Sequence, residues 1–407
     1  MIWRPFTQEK ICPPSIEIQR GEGAYLYDKS GKKYLDLISS WWVNIHGHAN
    51  REIADAIFKQ STTLEHVIFA GFSHDPAQKL VMDLKKVTHP ELCHYFFSDD
   101  GSTAVEIALK MVYQFFVNIG IKTRNIFINL NGAYHGDTLG AMSASGKSSI
   151  YHKTFSNFFF ETFSIDFPDD QITEDEAIYN LKLFLEKKGE NVCGFIVEPL
   201  VQGAAGMRVY RPEFLEKVVE EIRKYEIPVI FDEVMTGFYR TGTIFAMNQT
   251  KIIPDIICIS KALTGGFLPL ALTIANDKIY NNFLSNSWEK ALLHGHSYTA
   301  NPISCAASIK SLEILNRIET ISNIKKIESI HASYLPKICN VFNKRQKGTI
   351  AAFDVQDPEK ASQIRVKMLE NGLIIRPIGK TIYIIPPYCI NPQDLEIAYN
   401  TLINLIK

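Results

Sequence analysis

The sequence lacks long apolar runs, an excess of charge of either sign, and paired cysteines. No stretch of the 407 residues approaches the roughly 20 consecutive apolar residues of a membrane-spanning helix. The opening MIWRPFTQEKI has no long apolar core of the kind that a secretory signal needs. Lys and Arg number 43 against 44 Asp and Glu, a net charge of −1, so no basic field favours nucleic acid or an anionic membrane. These absences predict a cytoplasmic protein with no nucleic-acid or membrane partner.

Cysteine and histidine are too scattered to form a disulfide framework or a metal site. The seven cysteines are odd in number, and no two of them form a C-x-x-C pair. This pattern favours reduced, buried thiols over disulfides. His46 with His48, and His294 with His296, have the spacing of a ligand pair, but no carboxylate or cysteine at a suitable spacing completes either set. The sequence therefore predicts no metal site.

The residues that suggest chemistry are concentrated in the stretch 229–266. Two short apolar runs, 228–231 and 256–259, are continuous rather than alternating, which predicts buried parallel strands. The first runs into Asp232 and the second into Lys261, so an acid and an amine fall at carboxyl ends of strands, where open α/β sheets hold ligands. A desolvated lysine is a nucleophile toward a carbonyl, and a nearby carboxylate keeps a ring nitrogen protonated. Pyridoxal 5'-phosphate (PLP) requires this pair of groups.

Longer motifs carry a family resemblance. The runs FDEVMTGFYRTG and SKALTGGFLPLA resemble the cofactor-binding core of the class III (fold type I) aminotransferases. Within that family, WRPFTQ, SSWWVNIHGH and RPIGKTIYIIPPY resemble the members that convert 8-amino-7-oxononanoate to 7,8-diaminopelargonate in biotin biosynthesis. The resemblance extends from Trp3 to near the end of the sequence. It implies a homodimeric, PLP-dependent transaminase that works by a ping-pong mechanism, with S-adenosylmethionine as the expected amino donor.

The predicted fold is α/β of the fold type I class, with a mostly parallel central sheet flanked by helices and a smaller α+β domain. We expect an N-terminal arm and hairpin that belong to the small domain, a large PLP-binding domain, and a C-terminal small domain, at 1–50, 51–310 and 311–407. Turn chemistry predicts a hairpin at 24–37 and a helix capped by Asn50. Further patterns predict a strand at 158–160 and helices at 174–188, 212–225 and 277–286.

The segment 95–106 is expected to bind the cofactor's phosphate. A strand, Gly101 and the start of a helix follow one another, and Ser102 and Thr103 with Glu106 have capping-box chemistry. The free N–H groups of such a helix start attract phosphate. A plain capped helix is the alternative from this segment alone. Its place in the same sheet as Lys261 favours Gly101 and Ser102 as phosphate ligands.

Three further cofactor contacts are implied by the resemblance. Tyr134 matches the tyrosine of the motif G-x-Y-H-G, which implies that its ring stacks on the pyridine ring; a turn residue covering the core is the alternative. His135 is a weaker candidate. Glu198 matches a glutamate beside the cofactor that pairs with an arginine, for which Arg240 is the local candidate. Ser297, in a loop that reaches the partner subunit in relatives, replaces a phosphate-binding threonine and keeps its hydroxyl.

Substrate binding is predicted from the two ends of the sequence. The resemblance implies that Trp41 and Trp42 line the pocket for a long aliphatic substrate, and that Arg376 holds its carboxylate; core packing and a surface charge are the alternatives. Phe6 stands where some relatives carry a tyrosine, which leaves lysine open as the amino donor. Other class III activities, on an ω-amino acid or a semialdehyde, and a non-catalytic binding module are the remaining alternatives.

Overall fold

The computed structural model describes residues 2–146 and 153–406, and a seven-stranded mixed sheet forms its centre. In chain order the described strands are β1 Ile18–Glu22, β2 Tyr25–Asp28, β3 Lys33–Asp36, β4 His94–Ser98, β5 Ile126–Leu130, β6 Thr162–Ile165, β7 Val192–Val197, β8 Val201–Gln202, β9 Arg208–Val209, β10 Val229–Asp232, β11 Ile256–Ile259, β12 Ala271–Ala275, β13 Phe342–Lys347, β14 Ile350–Asp354, β15 Leu373–Ile374 and β16 Thr381–Ile384.

The α-helices lie mainly between these strands. They are α1 Arg51–Ser61, α2 Asp75–Leu84, α3 Gly101–Asn118, α4 Leu139–Ala144, α5 Glu174–Lys188, α6 Pro212–Arg223, α7 Asp277–Tyr280, α8 Pro302–Leu315, α9 Ile318–Tyr334, α10 Pro358–Glu370 and α11 Pro392–Ile406. Short 3₁₀ turns occur at Lys153–Phe158, Gly189–Asn191, Ala246–Gln249, Lys261–Thr264, Asn281–Phe283, Trp288–Lys290 and Leu335–Lys337. Within the described ranges no helix has both the length and the apolar character needed to cross a membrane.

The central sheet has the order β4-β12-β11-β10-β7-β5-β6. Strands β11, β10, β7, β5 and β6 run parallel, whereas β12 is antiparallel to both of its neighbours. Strands β10 and β11 are buried along their whole length, as continuous apolar runs in a covered parallel sheet should be. The predicted α/β class with a mostly parallel sheet is confirmed.

The beginning and the end of the chain share a second sheet. Strands β1, β2 and β3 form an antiparallel meander, and β3 pairs in parallel with β15, with Ile374 opposite Asp36. The hairpin predicted at 24–37 is present as β2 and β3. Strands β13, β14 and β16, from the C-terminal part of the chain, form a separate antiparallel sheet. This topology supports grouping the first 50 residues with the C-terminal segment; the domain limits themselves stay a prediction.

Local predictions at helix starts had mixed outcomes. Asn50 caps α1 as expected, because its Oδ1 accepts from the N–H groups of Glu52 and Ile53. The capping box predicted for α3 was wrong in part: Thr103 belongs to it, but Asp100 is the N-cap that exchanges hydrogen bonds with Thr103, and Ser102 and Glu106 take no part.

Glu106 has a different function from the one predicted. Its Oε1 accepts from the hydroxyl of Thr138 and the N–H groups of Gly140 and Ala141, at the start of α4. A carboxylate one turn into a helix can reach a neighbouring helix start as easily as its own, and sequence spacing does not distinguish the two.

The interpretation of 158–160 as a strand was wrong. The segment Lys153–Phe158 is a 3₁₀ turn, and the edge strand β6 begins at Thr162, where it pairs with β5. Phe158 is exposed, while Phe160 packs on Phe127 of the sheet. The aromatic run therefore covers the sheet edge instead of extending it. Of the predicted helices, 174–188 is matched by α5, 212–225 ends two residues early as α6, and 277–286 is shortened to α7 and a 3₁₀ turn.

Candidate active site

A cavity of about 790 Å³ opens at the carboxyl ends of β10 and β11. Its lining includes Asp232, Lys261, Tyr134, Trp41 and Arg376, which come from distant parts of the sequence. Strands β10 and β11 are parallel neighbours, and Asp232 lies opposite Cys258. Lys261 follows Cys258 by three residues. The acid and the amine therefore face one cavity, at the strand-end position that the sequence predicts.

Asp232 is held by two donors at the base of the cavity. Its Oδ2 lies 2.8 Å from Nδ1 of His135, and its Oδ1 accepts from the N–H of Val234 at 3.1 Å. Both side chains are buried, and Nε2 of His135 has no hydrogen-bond partner among the described residues. His135 is thus fixed by its contact with the carboxylate. The sequence alone makes His135 a weaker candidate, because a histidine beside a glycine turn gives no sign of a partner 97 residues away.

Lys261 adopts a strained backbone conformation. Its φ of 44° is in the left-handed region, which is unusual for a residue with a side chain and is typical of functional sites. Burial lowers the pKa of the Lys261 amine, and the charges of Asp232 and Glu198 oppose that change. Desolvation therefore favours the neutral, nucleophilic amine. The ring of Trp42 lies 5.0 Å from Lys261 Nζ.

The N-terminus of α3 borders the same cavity. Gly101 and Ser102 line it, and their N–H groups are in the first turn, where the helix provides no acceptors. A Cβ at Gly101 would lie 2.6 Å from Val234 Cγ1, and one at Gly136 would collide with the Ser102 hydroxyl. The two glycines therefore allow three segments to approach closely. The result is a cradle suited to an anion.

Glu198 is a buried carboxylate next to this cradle. Its oxygens accept from the N–H groups of Tyr134 at 3.1 Å and Gly203 at 2.8 Å. Burial raises the pKa of Glu198 to about 7, an effect opposed by the charge of His135 and by these hydrogen bonds. Tyr134 lines the cavity beside it.

The predicted pair of Glu198 and Arg240 is not formed among the described residues. Arg240 is fully buried and donates to the main-chain carbonyls of Pro386, Trp42 and Asn44, at 3.0, 3.2 and 3.5 Å. It forms no ion pair with Glu198 within the described ranges, and it does not line the cavity. The guanidinium instead joins the loop after β10 to two distant segments of backbone.

One wall of the cavity is aromatic and carries a cation. The Arg376 guanidinium lies 4.3 Å from the centre of the Trp41 ring, in a cation–π contact. Phe6 meets Trp41 edge-on, with ring centres 5.4 Å apart. Trp42 contacts Tyr383 in a similar way at 6.2 Å, and its buried Nε1 has no partner among the described residues. We call these five side chains the substrate wall.

The two tryptophans lie on an unusual turn, Ser39–Trp42, which we call the tryptophan turn. All four residues have positive φ, between 45° and 74°. The left-handed region costs a residue with a Cβ roughly 1–2 kcal/mol, and such residues normally occur singly. Sequence patterns gave no indication of this turn, because none of the four residues is glycine, asparagine or aspartate.

Ser297 lies away from this cavity. It is exposed on the segment between α7 and α8 and is not among the described residues that line the cavity. Its expected contact with a phosphate in a partner subunit stays a prediction.

One cluster has the residue types of a metal site. Cys93, His94 and Asp277 bring their ligand atoms within 4.8 Å of one another. His94 Nε2 is 2.7 Å from Asp277 Oδ1, and the His94 ring stacks on Tyr280. These contacts are those of an ordinary hydrogen-bonded pair at the edge strand β4, at the end of the sheet opposite Lys261, because His94 pairs with Ala275 and Ala275 with Ile256 at the start of β11. His46 and His48 point to different partners, Ser311 and Asp36.

Comparison with known sequences assigns the chain to a class of enzyme. A sequence model of the family described as aminotransferase class-III matches residues 7–406. The chain belongs to the class III aminotransferase family and is a PLP-dependent aminotransferase.

Individual proteins of this family are similar to the chain over nearly their whole length. The adenosylmethionine-8-amino-7-oxononanoate aminotransferase of Synechococcus elongatus is 42% identical, over 100% of this chain and 98% of the relative. The enzyme of that name from Helicobacter pylori is 37% identical, over 100% and 95%.

Two solved structures are also similar. The crystal structure of the adenosylmethionine-8-amino-7-oxononanoate aminotransferase of Methanocaldococcus jannaschii has a TM-score of 0.94 and 36% identity, and the match covers 100% of this chain and 96% of that one. An amine transaminase from an uncultivated Pseudomonas species, in a PLP-bound form, has a TM-score of 0.91 and 26% identity, over 100% and 98%.

The residues of the cavity fit PLP. Three features match the three ends of the cofactor: an amine with a lowered pKa, a buried carboxylate fixed by His135, and the N-terminus of α3 with its glycine contacts. The Nε2 of His135, which has no partner in the part of the chain that the structure describes, and the raised pKa of Glu198 are also typical of a polar site that a ligand completes.

Proposed function

We propose that this aminotransferase transfers an amino group to 8-amino-7-oxononanoate and forms 7,8-diaminopelargonate, a step of biotin biosynthesis. S-adenosylmethionine is the proposed donor. The full-length similarity to relatives named for this donor and acceptor supports the proposal. The observation that carries it is the substrate wall, in which a guanidinium stacked on Trp41 stands at one side of the cavity and Lys261 lies beside Trp42.

The cofactor contacts follow from the cavity. Lys261 Nζ would bond the carbonyl carbon of PLP, Asp232 would hold the ring nitrogen, and Gly101 and Ser102 would hold the phosphate. Tyr134 would cover one face of the ring. When bound, PLP supplies an electron-withdrawing ring that stabilises negative charge at the substrate's α-carbon.

Proton transfer is assigned to Lys261. Its lowered pKa suits Nζ to accept the proton from the Cα of the amino donor. In the second half-reaction the same nitrogen returns a proton to the carbon that carried the 7-oxo group. His135 keeps the Asp232 carboxylate in place through its 2.8 Å contact, so that the negative charge stays directed at the ring nitrogen.

The substrate wall would select a long-chain acceptor. Arg376 is partly buried and offers a planar pair of donors to a carboxylate. Trp41, Trp42 and Tyr383 would pack along the aliphatic chain and exclude water from it. Phe6 provides a ring without a hydroxyl at the entrance, so the amino donor is positioned without a hydrogen bond from this residue.

The assembly and the location are part of the proposal. We expect a homodimer in which the exposed loop around Ser297 binds the phosphate in the partner's site, and a cytoplasmic location. Light scattering of the purified protein tests the dimer. A Ser297→Ala variant should weaken PLP binding, whereas Ser285→Ala, on another surface segment, should not.

A single-turnover assay tests the substrates. The purified holoenzyme is given S-adenosylmethionine or lysine separately, then 8-amino-7-oxononanoate, and 7,8-diaminopelargonate is quantified. We expect product with S-adenosylmethionine, and complementation of a strain that lacks diaminopelargonate synthase. No product with either donor, together with turnover of an ω-amine and pyruvate, would instead assign the chain to another class III activity. Borohydride should fix PLP on Lys261 in either case, which separates the substrate question from the cofactor.

A further inference from the structure

The tryptophan turn needs an external support. Four successive residues with side chains in the left-handed region are unfavourable on their own, so the surrounding structure must hold them. Within the turn, Trp42 N donates to Ile38 O at 2.9 Å, and Val43 N donates to Ser39 O at 3.0 Å. These two bonds close the turn but do not fix its hand or its direction.

Arg240 supports the end of the turn at the Trp42 carbonyl, and the Ser39 hydroxyl donates to Ile385 O at 2.7 Å. The support that reaches the middle of the turn is the carboxylate of Asp36, which is 1% exposed at the end of β3. Its Oδ1 accepts from the N–H of Ile38 at 3.1 Å. Its Oδ2 accepts from the hydroxyl of Ser40 at 2.8 Å and from Nε2 of His48 at 3.0 Å. One buried carboxylate therefore binds the residue before the turn, a residue within it, and the segment after it.

The other side of His48 is also fixed. Its Nδ1 accepts from Nδ2 of Asn44 at 3.0 Å, and Asn44 Oδ1 accepts from the N–H of Gly47 at 2.7 Å. In this series of hydrogen bonds, from Gly47 to Asp36, each group acts consistently as a donor or as an acceptor. These hydrogen bonds thus connect the residues before and after the segment that carries both tryptophans.

Asp36 is also in register with the strand that leads to Arg376. It lies opposite Ile374 in the parallel pair of β3 and β15, and the N–H of Leu37 donates to Ile374 O at 3.2 Å. Arg376 follows two residues later and lies over Trp41. Both partners of the cation–π contact are consequently attached to the backbone around Asp36.

We propose that Asp36 is a positioning residue for the substrate wall: through Ser40 it holds the tryptophan turn in its left-handed form and so sets Trp41 against Arg376. Asp36 does not line the cavity and acts only through the turn. The identity of the affected substrate rests on the proposed function, whereas the placement of the tryptophans does not.

The kinetic test uses Ser40→Ala, which removes one hydrogen bond from an exposed side chain. We expect the KM for 8-amino-7-oxononanoate to rise roughly tenfold, as the loss of a hydrogen bond to a charged group allows, with kcat within about twofold. Ser30→Ala is the matched control, because it removes a 2.7 Å hydroxyl contact to Asp28 in the hairpin turn. Ser40→Asn should restore KM, because asparagine tolerates positive φ and its amide can donate to Asp36.

A second measurement reports the exposure of the two tryptophans on the turn without relying on kinetics. In a Trp3→Phe, Trp288→Phe background the remaining tryptophans are Trp41 and Trp42, and acrylamide quenching of the protein without cofactor reports their accessibility. We expect stronger quenching with Ser40→Ala and with Asp36→Asn, and no change with Ser30→Ala.

The outcomes separate this inference from the function. Unchanged quenching and unchanged KM in Ser40→Ala would overturn the positioning role. Changed quenching in a protein that never converts 8-amino-7-oxononanoate would support the positioning role and contradict the proposed substrate.

Discussion

The two sides of the cavity are built on different principles. On the catalytic side, Asp232 and Lys261 follow directly from two adjacent parallel strands, and short-range geometry places them. The substrate wall is assembled from the N-terminal arm, a left-handed turn and the segment after β15, and buried hydrogen bonds between remote residues place it. The position of the catalytic pair therefore follows from strand register, whereas the position of the substrate wall follows from contacts between residues far apart in the sequence.

The largest effect should come from the catalytic side. Lys261→Ala should lower kcat by roughly 10³-fold or more, because it removes both the nucleophile and the proton-transfer group. PLP should still bind, held by the phosphate cradle and Asp232, but borohydride should no longer fix it to the protein. Lys278→Ala, at an exposed lysine on α7, is the control and should leave kcat unchanged. Retained turnover in Lys261→Ala would remove the central assignment.

A change in the substrate wall should affect a different kinetic constant. Arg376→Ala should raise the KM for 8-amino-7-oxononanoate by about 10–100-fold, the range for lost bidentate bonds to a carboxylate. The kcat and the KM for the amino donor should change less. Arg365→Ala, on the exposed face of α10, provides the comparison. If Arg376→Ala lowered kcat and kcat/KM equally, the wall would contribute to the transition state and the separation of the two sides would fail.

Arg240 connects the two sides, and its removal tests how far they depend on each other. Arg240→Met removes the donor that Arg240 provides to three main-chain carbonyls, so we expect the free energy of unfolding to fall by about 3 kcal/mol. Urea unfolding measures this free energy, and Arg240→Lys should lower it by less than Arg240→Met does. A variant of normal stability in which the titration of Glu198 moved would instead restore the discarded pairing of Glu198 with Arg240.

The sequence was most informative where a residue's role depends on its own strand or turn. The strand-end rule located Lys261 and Asp232, and the cap at Asn50 followed from local chemistry. It was least informative where two distant groups meet. His135 gave no local sign of its bond to Asp232, and Arg240 was assigned to a carboxylate although main-chain carbonyls bind it.

Backbone strain was the second limit. Positive φ at Ser39 through Trp42 contradicts the intrinsic preference of each residue, so propensity alone could not have predicted the tryptophan turn. What the motif SSWWVNIHGH does contain is the set of polar residues that holds the turn, namely Ser40, Asn44 and His48. A network of this kind becomes recognisable only when the carboxylate that joins its members is known.

The smallest expected effect is a difference in pH response between the two sides. Burial raises the pKa of Glu198 to about 7, so its protonated form stabilises the catalytic side at low pH, and this contribution is lost as the pH rises through 7. Burial lowers the pKa of His46, just after the tryptophan turn, to about 4 from an ordinary value of 6.5. Its neutral form stabilises the segment that follows the tryptophan turn, where His46 contacts the hydroxyl of Ser311, above pH 6.5, and that contribution is lost as the pH falls toward 4.

Hydrogen exchange can measure the two sides separately. Between pH 7 and pH 5, after correction for intrinsic exchange rates, protection should fall in 37–47 and hold or rise in 229–234. His46→Gln should remove the pH dependence of the first segment, while His89→Gln, in the loop before β4, should not. Equal changes in both segments would mean that the whole protein opens as one unit. The substrate wall would then not be an independently adjustable part of the site, because its support and the catalytic strands would share one unfolding transition.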